Sequence, residues 1–285
     1  MPYLLQLHIF SGRPDPVWQI SDKQAGPLFE QRRVTAGQLF EAQMAAAPRA
    51  APGLGYRGFS LIESPREHAR SALLEGALTP QDRGREAFIQ GDRAGELLLL
   101  ESGRGLLSPE VFDVAARTIQ APAATAAAAK AAACPLCRGA TAPAYNPGIW
   151  NKVPVQANNN CYNYANNQAT STFAQPGRAT GKMYKTFQCA GTGVQPAAVS
   201  DGLKAVPNFA VTIPGWYVAL VIWPGQDFHW YRQDKNGCWS HKPGSTPARN
   251  TDNSGNTISD PKTCNRGPYT TFCSYMTTTT GAKIK

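Results

Sequence analysis

The stretch Phe228-His229-Trp230-Tyr231-Arg232-Gln233-Asp234-Lys235-Asn236-Gly237-Cys238-Trp239-Ser240-His241 carries two of the four histidines in a chain of 285 residues. Phe228–Arg232 and Cys238–Lys242 read as strands, with Asp234-Lys235-Asn236-Gly237 as the turn between them. Turn length decides what the histidines can do. A two-residue type I′ loop at Asn236-Gly237 sets Lys235 opposite Cys238 and His229 opposite Gly244, so that His229 and His241 occupy opposite faces of the sheet. A three-residue loop, Lys235-Asn236-Gly237 with Gly237 left-handed and bulged, pairs Asp234 with Cys238 and Tyr231 with His241. The two imidazoles then share a face as diagonal neighbours, about 7–8 Å apart at Cα and closer at the rings. Both registers are open to the sequence.

Working outward, Trp216–Trp223 is the strongest strand pattern in the chain, turned by Pro224-Gly225. Further upstream, Asn158-Asn159-Asn160-Cys161-Tyr162-Asn163-Tyr164-Ala165 predicts a short helix over 161–168 capped by Asn159 or Asn160. Unpaired N–H groups at such a helix start favour the thiolate of Cys161. Cys161 is thus a candidate nucleophile, His229 a candidate base, and His241 the group that fixes the tautomer and orientation of His229. A disulfide partner or a small buried thiol is the equal alternative for Cys161.

A cysteine at a helix start, a strand histidine and a second histidine twelve residues later across an Asn-Gly turn resemble the NlpC/P60 group of papain-like cysteine peptidases. The resemblance covers roughly residues 150–245. It implies a papain-like α+β domain with an antiparallel sheet, and Cys161, His229 and His241 as a triad acting on amide bonds, commonly those of peptidoglycan stem peptides. No cofactor and no metal are expected. The family usually shows Asp-Cys-Ser-Gly around its nucleophile, where Asn160-Cys161-Tyr162-Asn163 stands here, and Trp230-Tyr231-Arg232 is bulkier than the family's strand. Gln156 or Asn160 is a candidate side-chain oxyanion donor beside the Cys161 N–H. Tyr162, Arg178, Trp230, Tyr231 and Arg232 are candidates for holding substrate, with Lys242 and Arg249 as further cations for a carboxylate. Most aromatics among Trp216, Tyr217, Trp230, Tyr231 and Trp239 are expected in the core.

Composition divides the chain. Residues 1–133 hold 14 basic and 14 acidic residues, so the net charge of +9 lies wholly in 134–285, where 14 basic residues face five aspartates and no glutamate. Such a balance favours an anionic polymer or peptide as partner; scattered cations argue against nucleic acid. All seven cysteines also lie after residue 133. With Cys161 free, six remain, which suits three disulfides in an oxidising compartment. Cys134-Pro135-Leu136-Cys137 reads as a local disulfide or two incidental thiols, with zinc shared with Cys264 and Cys273 as the minor alternative.

The expected organisation is an N-terminal α+β domain over 1–120, an Ala/Pro-rich linker over 121–147 and a catalytic domain over 148–285. Within the first, 3–10, 17–20, 58–62 and 96–101 read as strands, 22–47 and 109–119 as helices, and His8 and His68 as structural or surface residues. The tail Thr277–Gly281 reads as frayed. Met1–Phe10 lacks a basic n-region and reads as a strand, not a leader, and no apolar run reaches the ~20 residues a bilayer requires. The cysteine count without a secretory leader leaves three readings: reduced cysteines, a mature form lacking its leader, or an exported or extracellular protein that uses another route. The competing function is a disulfide-stapled, basic and aromatic binding module for polysaccharide or a membrane surface.

Overall fold

The computed structural model describes residues 3–44, 53–63, 69, 70, 73, 78, 84–122 and 133–285. They form a mixed α+β protein with two antiparallel sheets, divided between two compact units. The first comprises Met1–Ile9, Pro14–Ala51 and Gly55–Thr125; the second comprises Phe10–Arg13, Pro52–Leu54 and Ala126–Lys285. Phe10–Arg13, from the N-terminal loop, thus belongs to the same unit as Cys161 and both candidate histidines.

In the first unit, β1 (Tyr3–Leu7), β2 (Val17–Ile20), β3 (Phe59–Glu63) and β4 (Arg85–Ile89) are ordered β2-β1-β3-β4. Ser21 caps the helix Asp22–Arg32 in a capping box with Gln24. Over 22–44 the expected helical span is two helices, because Arg33 turns left-handed (φ 53°) and a new helix starts at Ala36, while 45–47 lie outside the described residues. The strand expected over 96–101 is instead part of the helix Arg93–Ser102. A short leucine run does not distinguish the two states. The cap decides: the Asp92 carboxylate accepts the Gly95 N–H at 3.0 Å, and Glu96, Leu99 and Leu100 turn to one buried face. His8 is buried between Asp15 (3.1 Å) and Ser60 (2.7 Å), a structural role; His68 lies outside the described residues.

The second unit is built on β5 (Lys204–Val206), β6 (Trp216–Trp223), β7 (Asp227–Gln233), β8 (Trp239–His241) and β9 (Thr271–Thr278), ordered β5-β9-β6-β7-β8. Central β6 is buried along its whole length, which is why eight consecutive apolar and aromatic residues are tolerated there. Trp216, Val218, Leu220 and Ile222 form one face of a core with Phe228, Trp230 and Met276, closed by Cys161, Tyr162 and Ala165 of the helix Cys161–Ala165. The tail is not frayed: β9 runs to Thr278, Ala282 and Ile284 are buried, and the Lys285 carbonyl accepts the Gln175 N–H at 3.0 Å.

Two disulfides, Cys134–Cys238 and Cys189–Cys273, form where three were expected; Cys137, Cys161 and Cys264 are free thiols. The local Cys134–Cys137 bridge is ruled out because Cys134 reaches the β7–β8 turn instead. Of the stretch read as a linker, 123–132 lie outside the described residues; from there on it belongs to the second unit.

The turn adopts the three-residue register. Tyr231 pairs with His241, Arg232 with Ser240 and Gln233 with Trp239, while the Asp234 N–H donates to the Cys238 carbonyl at 2.8 Å. Gly237 is left-handed (φ 86°), and a Cβ there would lie 1.7 Å from the Pro135 carbonyl oxygen. Both facts demand glycine. Gly237→Ala is therefore expected to destabilise the unit by about 2 kcal/mol or more, read as a lower urea midpoint with an unchanged slope.

Candidate active site

The asparagine run is connective structure. Asn160 caps the helix Cys161–Ala165, its Oδ1 accepting the Tyr162 and Asn163 N–H groups at 3.0 and 3.2 Å, and Asn163 returns the bond to the Asn160 N–H at 3.2 Å. Asn159 accepts from the Ser171 N–H and donates to the Val155 carbonyl. Lys242, fully buried, ties this turn to the sheet by donating to the carbonyls of Gln156 (2.6 Å), Asn159 (2.5 Å) and Gly244 (2.6 Å). Lys242 is thus a staple and not a solvent-facing cation for substrate.

This scaffold presses the Cys161 sulfur onto β7. Alternation along the strand sends Phe228 and Trp230 into the core shared with Cys161, and His229 and Tyr231 to the opposite face. The two sides meet at the strand edge, because β8 pairs with β7 only from Tyr231 onward. There the sulfur lies 4.0 Å from the Phe228 carbonyl and takes the backbone N–H of Trp230, the two residues on either side of His229. The expected low thiol pKa is reversed. Burial, then the Asp227 carboxylate, push Cys161 up to about 12, against the smaller opposing pull of the Ser11 hydroxyl, the Trp230 N–H and Lys242. A one-turn helix start does not offset removal from water.

The two imidazoles do meet. His241 Nδ1 lies 2.9 Å from His229 Nε2, with the rings at 82°, and His241 Nε2 lies 3.0 Å from the Thr251 carbonyl. A carbonyl can only accept, so His241 carries its proton on Nε2. With neutral rings its Nδ1 then accepts from His229 Nε2–H, leaving His229 Nδ1 as an acceptor. That is the tautomer a general base requires. Tyr231 stacks on His241 at 5.0 Å and stands edge-on to His229 at 4.7 Å, holding both rings.

The group that donates to His229 Nδ1 is Ser11, 218 residues away in the chain. Its hydroxyl also bonds the Cys161 sulfur. The N–H groups of Ser11, Gly12 and Arg13 all donate to the Asp227 carboxylate, at 2.5, 3.1 and 3.0 Å. The Gly12 carbonyl accepts from Asn160 Nδ2 (2.7 Å) and Gln175 Nε2 (2.8 Å). Read as a sequence, Ser11-Gly12-Arg13-Pro14 signals only a turn. Only Gly12 carries a further mark, since a Cβ there would lie 2.4 Å from the Phe228 ring.

The other expected substrate residues are mostly interior. Tyr162 donates to Asp201 at 2.9 Å and packs on Trp230 at 5.3 Å. Arg232 pairs with Asp234 at 2.8 Å and lies over the Tyr164 ring at 4.2 Å. Tyr162, Trp230, Tyr231 and Arg232 are all buried, so none faces a ligand from solvent in this conformation. Arg178 is exposed and donates to the Thr172 carbonyl at 3.0 Å. Arg249 is a bridge partner of His241 through its backbone. Among the described residues no group of His, Cys, Asp and Glu could hold a metal ion, and no helix is long and apolar enough to cross a membrane.

No protein-family model matches the chain, and no solved structure matches it. Among curated proteins, it is similar to "Insoluble matrix shell protein 1" of Ruditapes philippinarum, 49% identical over 134 residues that make up 46% of this chain and 87% of that protein.

Two outcomes are expected. Lys242→Met removes the ammonium from two buried carbonyls and one part-buried carbonyl and lowers stability by about 3 kcal/mol, measured by urea unfolding. In the native protein at pH 8, Cys161 stays protonated and alkylates far more slowly than a free cysteine. Its rate climbs as pH rises toward 12, resolved by mapping the labelled peptide.

Proposed function

The chain belongs, over the matched residues, to the family of insoluble matrix shell protein 1, and from that premise we propose that it is an extracellular cysteine hydrolase of amide bonds. Its second unit is read as a papain-like domain of the NlpC/P60 kind, with Cys161 as nucleophile, His229 as base and His241 as orienter. The observation that carries this reading is the chain of contacts from His241 to His229 and, through the Ser11 hydroxyl, from His229 Nδ1 to the Cys161 sulfur. Two disulfides and the relative's name support an extracellular setting, and the basic balance of residues 134–285 supports an anionic polymer or peptide, such as peptidoglycan stem peptides, as substrate.

The chemistry runs as follows. With Ser11 withdrawn, His229 Nδ1 takes the thiol proton, and the thiolate attacks the substrate carbonyl carbon. Asn160 Nδ2 and Gln175 Nε2, which now hold the Gly12 carbonyl, hold the oxyanion. Collapse breaks the C–N bond as His229 passes its proton to the leaving amine. Water then gives a proton to His229 and hydroxide to the thioester, releasing the acid and returning the thiol. His241 keeps the His229 ring aligned throughout.

A second reading, a non-catalytic disulfide-stapled matrix component, is favoured by the relative's name and by the complete burial of Cys161, His229 and His241. Hydrolysis of peptidoglycan fragments separates the two. Cys161→Ala is expected to abolish turnover and His241→Ala to reduce kcat by about 10²–10⁴-fold. Undiminished turnover by Cys161→Ala removes the hydrolase; no turnover by either protein, with wild-type binding to acidic polysaccharide, supports the matrix component.

A further inference from the structure

Phe10–Arg13 is held in the second unit in the way a ligand is held. Strand pairing contributes nothing to it: no residue of the segment joins the sheet. Its backbone is gripped by side chains instead, three successive N–H groups by the buried Asp227 carboxylate and one carbonyl by the paired amides of Asn160 and Gln175. Tyr269 steadies the same carboxylate through its hydroxyl. Backbone recognition of this kind accepts many sequences, but Phe228 imposes one restriction by leaving no room for a Cβ at Gly12. On one side of that glycine a small hydroxyl meets His229 and Cys161. On the other, the Arg13 guanidinium folds over the Phe10 ring of its own segment at 3.7 Å and meets the Phe187 ring at 5.3 Å, so Phe187 is the aromatic contact that the groove offers a cation.

We infer that Ser11-Gly12-Arg13 is a tethered occupant of the peptide groove beside Cys161, and that the groove takes a glycine-containing peptide strand, small residue before and basic residue after, recognised through its backbone. This narrows the substrate of the proposed hydrolase to a peptide strand with a cation after its glycine, in place of the anionic polymer that net charge alone suggests, and rests on the hydrolase reading for turnover, though not for binding. While the segment is in place, its hydroxyl occupies the acceptor of His229 and the site is closed. A competing peptide, or a partner that draws the N-terminal loop away, opens it.

The test uses the full chain carrying Gly12→Ala, in which the added methyl cannot sit beside Phe228. Iodoacetamide labelling of Cys161, resolved from Cys137 and Cys264 by peptide mapping, is expected to rise about tenfold or more over wild type. The capped pentapeptide Phe-Ser-Gly-Arg-Pro is expected to suppress it again, and Phe-Ser-Ala-Arg-Pro is not. Folded Gly12→Ala protein that labels like wild type, or whose labelling no peptide alters, overturns the inference. Should Gly12→Ala fail to fold, hydrogen exchange on the wild type decides: Ser11, Gly12 and Arg13 are expected to exchange about 100-fold faster than Trp216–Trp223, whereas exchange together with that strand marks the segment as core. Failure of the hydrolase reading looks different. There, peptide protection persists, but adding His229→Ala to the Gly12→Ala protein leaves the Cys161 labelling rate unchanged.

Discussion

The second unit depends on one left-handed residue. Gly237 closes the β7–β8 turn with a single extra position, and that position sets Tyr231 opposite His241 and not one step away. Because side chains alternate with a period of two, a shift of one residue carries His241 to the far face and breaks the bond between the rings. No propensity along the strands prevents such a shift. The close approach of the Pro135 carbonyl to Gly237 does, since it leaves no space for any other residue to form the turn.

Around that register the site is an arrangement of edges. β8 stops pairing where the histidine begins, so β7 presents backbone groups at Phe228 and Trp230, and the Cys161 sulfur and Ser11 hydroxyl gather there. The groups that build the site are paired with partners of opposite hydrogen-bonding character: carbonyls by Lys242, the carboxylate of Asp227 by backbone N–H groups and a tyrosine, imidazole by imidazole. Burial on this scale is tolerable only with such pairing. It also suppresses thiolate formation at Cys161.

How much of this was legible in the sequence depends on how local the cause was. The strand Trp216–Trp223, the asparagine cap and both hairpin arms were readable because pattern and capping act within a few residues. The hairpin register could be narrowed to two alternatives but not chosen, because the residue that selects it is Pro135, about a hundred positions upstream. The leucines at 97–100 misled because a four-residue apolar run has no period, and the deciding group was the Asp92 cap before it. Tyr162 and Arg232 looked like groove residues by type, yet their partners Asp201 and Asp234 draw them inward, and Trp230 packs in the apolar core. Ser11 was beyond reach altogether. Nothing in a serine within a proline-rich turn signals a histidine 218 residues later.

The bridge from Cys134 to Cys238 has one more consequence. It joins residues 104 apart, right beside the turn that sets the imidazole pair. A loop of that length, once cut, returns about 4–5 kcal/mol of chain entropy to the unfolded ensemble. It also frees the Pro135 segment from Gly237. A thiol-rich environment would therefore loosen the hairpin and the histidine couple together, so the pairing of the two imidazoles is conditional on the redox state of the surroundings.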